Sequence, residues 1–239
     1  MILISAIFKK KILSSGMISI NEAIRSRKSV RSYLKKSVSL KVIKEILHDA
    51  SWAPSGTNTQ PWNVHVLTGE KLKCFTEKSK KEFLKNSDKL SLERLNYMQK
   101  YREPYKSRRR QVGWDLYQIL DIKKGDYEKT KKFHSQNYEF FGAPMGLLFS
   151  IEKDLGWMSW LDYGMFIQNI CLLARDYGLH TCPQAAWGLI YKKANKFLDL
   201  KKNFTIHCGM AIGYENEKAK INKLKTYRDD ISTFCEFLK

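Results

Sequence analysis

Acidic residues are scarce in this chain of 239 residues, which carries 24 Asp and Glu against 43 Lys and Arg, for a formal net charge of +19. Such a field attracts phosphate groups, nucleic acid and acidic membrane surfaces. The basic residues are spread along the chain, however, and no recognisable nucleic-acid-binding motif accompanies them. We therefore interpret the charge as a solvated cationic surface. A basic nucleic-acid-binding protein is the alternative, which a DNA titration across salt concentrations would test.

Sequence motifs of the common nucleotide and metal sites are also missing. The chain contains no G-x-G-x-x-G after a strand and no P-loop, and its five cysteines form no C-x-x-C pair. The five histidines include no H-E-x-x-H motif. We assign the one close pair, His180 with Cys182, a local structural role. These absences argue against a Rossmann site and against a zinc or cysteine hydrolase, so we predict no metal and reduced thiols.

Long apolar runs, Gly/Ser linkers and internal repeats are missing as well. The apolar run at the N-terminus precedes its positive cluster, which reverses the order of a secretory signal, and it is too short to span a bilayer. We expect no membrane association and a cytoplasmic protein. We further expect residues 1–16 to form a tail of unassigned role and residues 17–239 to form one domain.

The hydrophobic pattern predicts many helices and few strands. Helices are expected at 20–25 behind a capping box at Ser19, after Ser39, over most of 70–132 with breaks at Pro104 and Gly113, at 159–178 and at 186–200; strands are expected at 62–68, 145–151 and 204–213. The 159–178 helix is apolar on nearly every side, which favours burial against a partner subunit as well as against its own sheet. The pattern indicates an α+β fold with helices around a small sheet.

Two segments carry side chains that suit an anionic or heteroatom-rich ligand. Arg27, Ser29 and Arg31 alternate on an extended segment, so two guanidiniums flank one hydroxyl on the same face and can bind an anion. The 54–62 loop places hydroxyl and amide side chains between two prolines, which suits a planar ligand. Taken alone, each segment also fits a structural role, as a solvated basic cluster or as a turn.

Two later segments add weaker indications. The 178–187 connection leaves free amides near the start of the next helix, where electron-rich atoms are favoured. Arg228, in Thr226-Tyr227-Arg228, is a further candidate cation for a phosphate. A plain connection between helices and a solvated arginine are the alternatives for these segments.

In this order, the segments resemble the FMN-dependent nitroreductase family. The matching motifs are Arg27-x-Ser29-x-Arg31, Ala53-Pro54-Ser55-x-x-Asn58-x-Gln60-Pro61-Trp62, Asp162-Tyr163-Gly164 with Gln168-Asn169, Gly178-Leu179, Gly209-x-Ala211-x-Gly213 and Arg228. Softer matches at 105–110 and 137–144 point to the nitrobenzoate-reductase-like branch. The resemblance implies a nitroreductase-like fold with a small mixed or antiparallel sheet, an intertwined homodimer with two FMN sites, and NADPH or NADH as electron donor.

The resemblance also implies the residues that bind FMN, which are Arg27, Lys28, Ser29, Arg31, Pro54, Ser55, Asn58, Pro183, Gln184, Ala185 and Arg228. On that basis Arg27 and Arg228 bind the phosphate, Ser29 meets the ribityl chain or pyrimidine edge, and Arg31 lies near N1 and O2. Lys28 contributes its main chain, the partner subunit contributes the 54–58 loop, and the backbone at 183–186 faces flavin N5. Many members carry an acidic residue where this chain has Ala185, so any role of that side chain is absent here.

The implied activity is a ping-pong cycle in which two electrons pass from NAD(P)H to a small flat aromatic acceptor such as a nitroaromatic or a quinone. The cofactor carries the chemistry, so we expect no catalytic side chain. Because a fold and its cofactor do not determine the substrate, ring reduction or dehalogenation on the same scaffold stays an alternative.

Overall fold

The computed structural model describes residues 18–87 and 100–239 of the chain. Four antiparallel strands form one sheet in this part of the chain: β1 (Asn63–Thr68), β2 (Met145–Glu152), β3 (His180–Gln184) and β4 (Phe204–Gly213). Their order in space is β1-β2-β4-β3, so β2 and β4 lie in the middle. The predicted α+β class, a small sheet among helices, is confirmed.

Seven α-helices surround the sheet within the described ranges: α1 (Ile20–Ser26), α2 (Leu40–Ala50), α3 (Gly69–Asn86), α4 (Tyr105–Ile119), α5 (Tyr127–Ser135), α6 (Trp157–Asp176) and α7 (Tyr191–Phe197). The predicted starts of α1 and α2 are confirmed. The hydroxyl of Ser19 accepts the Glu22 N–H at 3.2 Å, and that of Ser39 accepts the Lys41 N–H at 3.2 Å. Each hydroxyl satisfies an amide that has no partner within the helix.

The hydrophobic core lies on both faces of the sheet. Leu148 of β2 points into the cluster that contains Trp187 and the aromatic side chains of the 136–142 turn. Leu147 and Phe149, its neighbours on the same strand, point into the opposite cluster with α2 and α6. Because side chains alternate along a strand, a strand covered on both faces is largely apolar, and the run from Met145 to Phe149 makes β2 visible in the sequence.

Three predictions of secondary structure are wrong. The 178–187 connection contains the edge strand β3, and the helix expected at 186–200 is a 3₁₀ turn (Ala185–Ile190) followed by the short α7. An edge strand accommodates Pro183 because the missing N–H is not needed on the outer side of the sheet. Gly113 lies inside α4 rather than at a break, since one glycine costs a helix only about 1 kcal/mol. The 1–16 tail and the 88–99 part of the helical region lie outside the described residues.

No described helix combines the length and the apolar character needed to cross a membrane.

Candidate functional site

The 27–31 segment runs in extended conformation along the outer edge of β3. Helix α1 ends at Ser26, and Arg27 already has an extended backbone, with φ −63° and ψ 122°. Ser29 forms a parallel bridge with Thr181, and the Val30 N–H donates to the Thr181 carbonyl at 3.1 Å. The sheet therefore fixes the position of this segment.

Arg27, Ser29 and Arg31, which we call the Arg–Ser–Arg cluster, lie on the same side of the segment and face Cys182 of β3. Burial raises the pKa of the Cys182 thiol to about 11, while both guanidiniums and a hydrogen bond from the Ser29 hydroxyl oppose that shift. Arg31 Nη1 also donates to the Ser29 carbonyl at 3.3 Å. The structure thus brings together two half-buried cations and one hydroxyl, as alternation along an extended segment predicts.

The Lys28 side chain points away from the Arg–Ser–Arg cluster and is held by contacts within the protein. Its Nζ forms an ion pair with Glu215 Oε1 at 2.7 Å and donates to the Asn222 carbonyl at 3.0 Å. The other oxygen of Glu215 lies 3.3 Å from His180 Nδ1. Burial, together with Arg175 and Lys28, lowers the pKa of His180 to about 3, so the ring that contacts Glu215 is neutral at physiological pH. Of Lys28, the main chain is the part that remains available to a ligand.

Asn222 supports the same segment from the side opposite β3, and sequence reasoning did not identify it. Its amide oxygen accepts the Arg31 N–H at 2.8 Å, and its amide nitrogen donates to the Ser32 carbonyl at 2.8 Å. Glu215, the partner of Lys28, was missed as well. Neither residue belongs to a sequence motif, because each acts through a contact nearly 200 positions away in the chain.

Pro183, Gln184 and Ala185 lie at the end of β3, next to the Arg–Ser–Arg cluster. Pro183 pairs with Met210 and Gln184 with Gly209 of β4. The Gln184 side chain is buried, and its Nε2 donates to the Asn137 carbonyl at 2.8 Å. That side chain is therefore used inside the fold, which leaves the backbone of this segment to contact a ligand.

Pro54, Ser55 and Asn58 lie on a constrained loop at a different place in the protomer. Ser55 Oγ accepts the Gln60 N–H at 3.0 Å. Three residues that are not glycine, Thr57, Asn58 and Gln60, have left-handed φ values of 49°, 59° and 50°. Side chains rarely adopt this conformation, and groups of such residues occur mainly at functional sites.

Helix α6 separates this loop from the Arg–Ser–Arg cluster within one protomer. The loop is bonded to the N-terminal half of α6, where Asp162 Oδ2 accepts the Gly56 N–H at 3.1 Å. Helix α1, which leads into the cluster, is bonded to the other end, where Arg175 Nε donates to Ser26 Oγ at 3.2 Å. A helix rises 1.5 Å per residue, so the two attachment points lie about 20 Å apart. One protomer does not bring the two sets of predicted residues together.

Arg228 lies on the C-terminal segment and is exposed. Its Nη1 donates to Thr226 Oγ1 at 3.0 Å and to the Tyr227 carbonyl at 2.8 Å. The next residue, Asp229, forms an ion pair with Arg108 of α4. The guanidinium of Arg228 therefore stays on the surface, where a phosphate could reach it.

Comparisons with known proteins identify the family of this chain. The family model described as the nitroreductase family matches residues 24–214. A 4-nitrobenzoate reductase of Pseudomonas putida is 36% identical over 215 residues, which cover 90% of this chain and 93% of that protein. A chloronitrobenzene nitroreductase of Comamonas testosteroni is 31% identical over 219 residues, which cover 92% of this chain and 96% of that protein. The crystal structure of the FMN and NADPH-dependent nitroreductase NfnB from Sphigopyxis sp. strain HMH superimposes with a TM-score of 0.86 at 30% identity, covering 93% of this chain and all of that chain.

Proposed function

This chain belongs to the nitroreductase family, and from that premise we propose that it is an FMN-dependent oxidoreductase that reduces nitroaromatic or quinone-like acceptors with electrons from NADPH or NADH. The observation that carries the proposal is the Arg–Ser–Arg cluster, held against β3 beside the backbone of Pro183. Relatives of nearly the same length are named as reductases of nitroaromatic compounds. We propose a single domain over residues 17–239 and a location in the cytoplasm.

The residues present suit FMN. Within the described part of the chain, neither Arg27 nor Arg31 has an ion-pair partner, although both guanidiniums are half-buried. Cations in such a position bind anionic groups through charge-assisted hydrogen bonds. We propose that Arg27 and Arg228 hold the phosphate, that Ser29 meets the ribityl chain or pyrimidine edge, and that Arg31 lies beside N1 and O2.

When bound, FMN would supply the two-electron chemistry that connects the nicotinamide donor with the acceptor. The chain binds and orients the reactants. The backbone from Pro183 to Ala185, held by the buried Gln184 side chain, would contact the cofactor, and Lys28 would contribute its main chain. Donor and acceptor occupy the same space in turn, which gives ping-pong kinetics. We assign no acid, base or nucleophile, because the cofactor carries the chemistry and the protein need supply none. Ala185 has no ionisable group where many members of the family have an acid.

A homodimer completes the proposed site, with Pro54, Ser55 and Asn58 supplied by the partner subunit. Two observations support this arrangement. The loop and the helix that leads into the cluster are attached to α6 at points about 20 Å apart within one protomer. Helix α6 also exposes large apolar side chains, with Trp157 78%, Met158 50% and Leu161 56% accessible, as expected of a surface that a second copy covers.

The test is the visible absorption spectrum of the purified protein, followed anaerobically as NADPH and then NADH are added. We expect a flavin spectrum that bleaches with one donor and recovers when a nitroaromatic compound is added. A colourless protein that takes up no added FMN would overturn the proposal and bring the basic nucleic-acid-binding alternative forward. Sedimentation of the same sample gives the oligomeric state.

A further inference from the structure

Asn222 is a buried polar residue that is bonded to the main chain of Arg31 without belonging to the Arg–Ser–Arg cluster. It lies in the 3₁₀ turn Lys220–Lys223, in a stretch rich in lysine, yet only 3% of its surface is exposed. Burying a primary amide is costly unless its hydrogen bonds are made. Its partners therefore indicate why the residue is there.

The amide of Asn222 is bonded to main-chain groups on both of its polar atoms. Oδ1 accepts the Arg31 N–H at 2.8 Å, and Nδ2 donates to the carbonyls of Ser32 at 2.8 Å and Asn216 at 3.0 Å. Both N–H groups of the amide are used. These are the main-chain hydrogen bonds that a neighbouring strand would make, and here one side chain makes them.

These bonds satisfy main-chain groups of the extended segment on the side that faces away from β3. The Val30 N–H points to the Thr181 carbonyl of β3, and the next N–H, that of Arg31, points in the opposite direction to Asn222. Successive N–H groups of an extended chain alternate in direction, so each needs a partner on a different side. The segment is therefore held between β3 and Asn222.

A second bond fixes the other end of the segment. Lys28 Nζ donates to the main-chain carbonyl of Asn222 at 3.0 Å and forms an ion pair with Glu215. Residues on both sides of Ser29 are thus attached to the same point of the C-terminal region. A shift of the segment along β3 would break both attachments at once.

We infer that Asn222 is a positioning residue, which holds the main chain at Arg31 and Ser32 so that the Arg31 guanidinium is directed at the cofactor. The inference rests on the proposed function, because it gives Arg31 its place beside the pyrimidine edge of FMN. Asn222 touches neither cofactor nor substrate in this arrangement. Its effect passes through the backbone of Arg31.

The test compares Asn222→Ala with Asn195→Ala. Asn195 is a matched control because its amide also bonds a strand backbone, donating to the Phe204 carbonyl at 3.3 Å and accepting the Ile206 N–H at 3.0 Å. For each apoprotein, FMN is titrated by fluorescence quenching and the melting temperature is measured. The midpoint potential of the bound flavin is then determined against redox dyes. Asn222→Ser, which keeps a hydroxyl, takes the place of the Ala variant if that variant does not fold.

We expect both Ala variants to melt earlier than the parent protein, and Asn222→Ala alone to change the flavin. Its FMN dissociation constant should rise about tenfold, the scale on which one charge-assisted hydrogen bond acts. Its midpoint potential should become more negative, because a displaced cation no longer favours the reduced form. Equal flavin affinity and potential in the Asn222 and Asn195 variants would overturn the inference while the proposed function stands. A parent protein that binds no FMN would overturn both.

Discussion

The carboxylate of Asp162 on α6 accepts the backbone N–H of Gly56 at 3.1 Å, and this bond attaches the constrained 54–60 loop to the helix. The left-handed residues of the loop, among them Thr57 and Asn58, each cost of order 1–3 kcal/mol. Such a conformation persists only where its surroundings hold it. Asp162 of α6, which is only 7% exposed, helps to hold the loop in this conformation.

Replacing Asp162 by Ala should release the loop. The variant loses a hydrogen bond to a charged acceptor, so its free energy of unfolding should fall by about 2 kcal/mol. Because we propose that the loop reaches the partner's site, FMN should bind more weakly and the dimer should dissociate at higher protein concentration. Urea denaturation, FMN titration and sedimentation measure the three effects.

Asp126→Ala is the control for this experiment. Asp126 also accepts a backbone N–H, that of Lys129 at 3.0 Å, at the start of α5. Losing such a cap costs about 1 kcal/mol and should leave FMN binding unchanged. If Asp162→Ala behaved like Asp126→Ala, the loop would have no part in the cofactor site.

Replacing Arg228 by Ala tests the placement of the phosphate. A charge-assisted hydrogen bond contributes about 1.5–3 kcal/mol, so the FMN dissociation constant should rise between about tenfold and a hundredfold. The expected loss is specific to FMN, and riboflavin, which lacks the phosphate, should bind both proteins equally. Lys192→Ala, which removes an exposed cation on α7, controls for the change in net charge. Unchanged FMN affinity would show that the phosphate lies elsewhere.

The part of the fold that the sequence predicts is the part determined by local pattern. Side-chain hydroxyls mark the starts of α1 and α2, and β2 is visible because of its apolar run from Met145 to Phe149. Strand β3 is not visible, since five residues that include Pro183 show neither alternation nor a long apolar run. Its existence depends on pairing with β4 and with Ser29, and both contacts are distant in sequence.

In the candidate site, too, the sequence predicts the features that depend on local pattern and misses those that depend on distant contacts. Alternation along one extended segment predicts that Arg27, Ser29 and Arg31 share a face, and the structure agrees. Asn222 and Glu215 are unremarkable in the sequence, because their roles come from contacts with residues 28–32. The resemblance to a family orders the segments and implies that the partner supplies the 54–58 loop, whereas the attachment of that loop to α6 comes from the structure.

His207 should make stability depend on pH. Burial lowers its pKa to about 4, and the rings of Trp160 and Tyr163 make T-shaped contacts with it at centroid distances of 4.5 and 4.8 Å. The unfolded chain binds a proton near pH 6.5, whereas the folded chain does not until about pH 4. The contribution of the neutral His207 ring to the free energy of unfolding is therefore complete above pH 6.5 and is lost as the pH falls from 6.5 toward 4.

The measurement is the free energy of unfolding at pH 7 and at pH 5 for the parent protein and for His207→Gln. The parent should lose about 2 kcal/mol from this residue over that interval, because each unit of pKa difference corresponds to about 1.4 kcal/mol. The Gln variant should show a shallower decline, whatever its stability at pH 7. If the free energy of unfolding fell equally with pH in the parent and in His207→Gln, His207 would bind its proton over the same pH range in the folded and the unfolded chain.

Gly209 should tolerate no side chain. It lies on β4 opposite Gln184, and a Cβ at this position would overlap the indole ring of Trp187, which is fully buried. Neither the strand nor the ring can move freely, because the ring also packs on Phe140 at a centroid distance of 4.7 Å. Overpacking of this kind costs about 1–3 kcal/mol.

Gly113 is the control position, at which replacement by alanine should be tolerated. It lies within α4, and a Cβ there would have no atom within 4 Å among the described residues. Gly209→Ala should therefore lower the free energy of unfolding in urea, whereas Gly113→Ala should raise it by about 0.5–1 kcal/mol, since alanine restricts the unfolded chain and favours the helix. Because Trp187 follows the segment from Pro183 to Ala185, Gly209→Ala should also weaken FMN binding. A Gly209→Ala protein with parental stability and affinity would mean that Trp187 does not fix this segment.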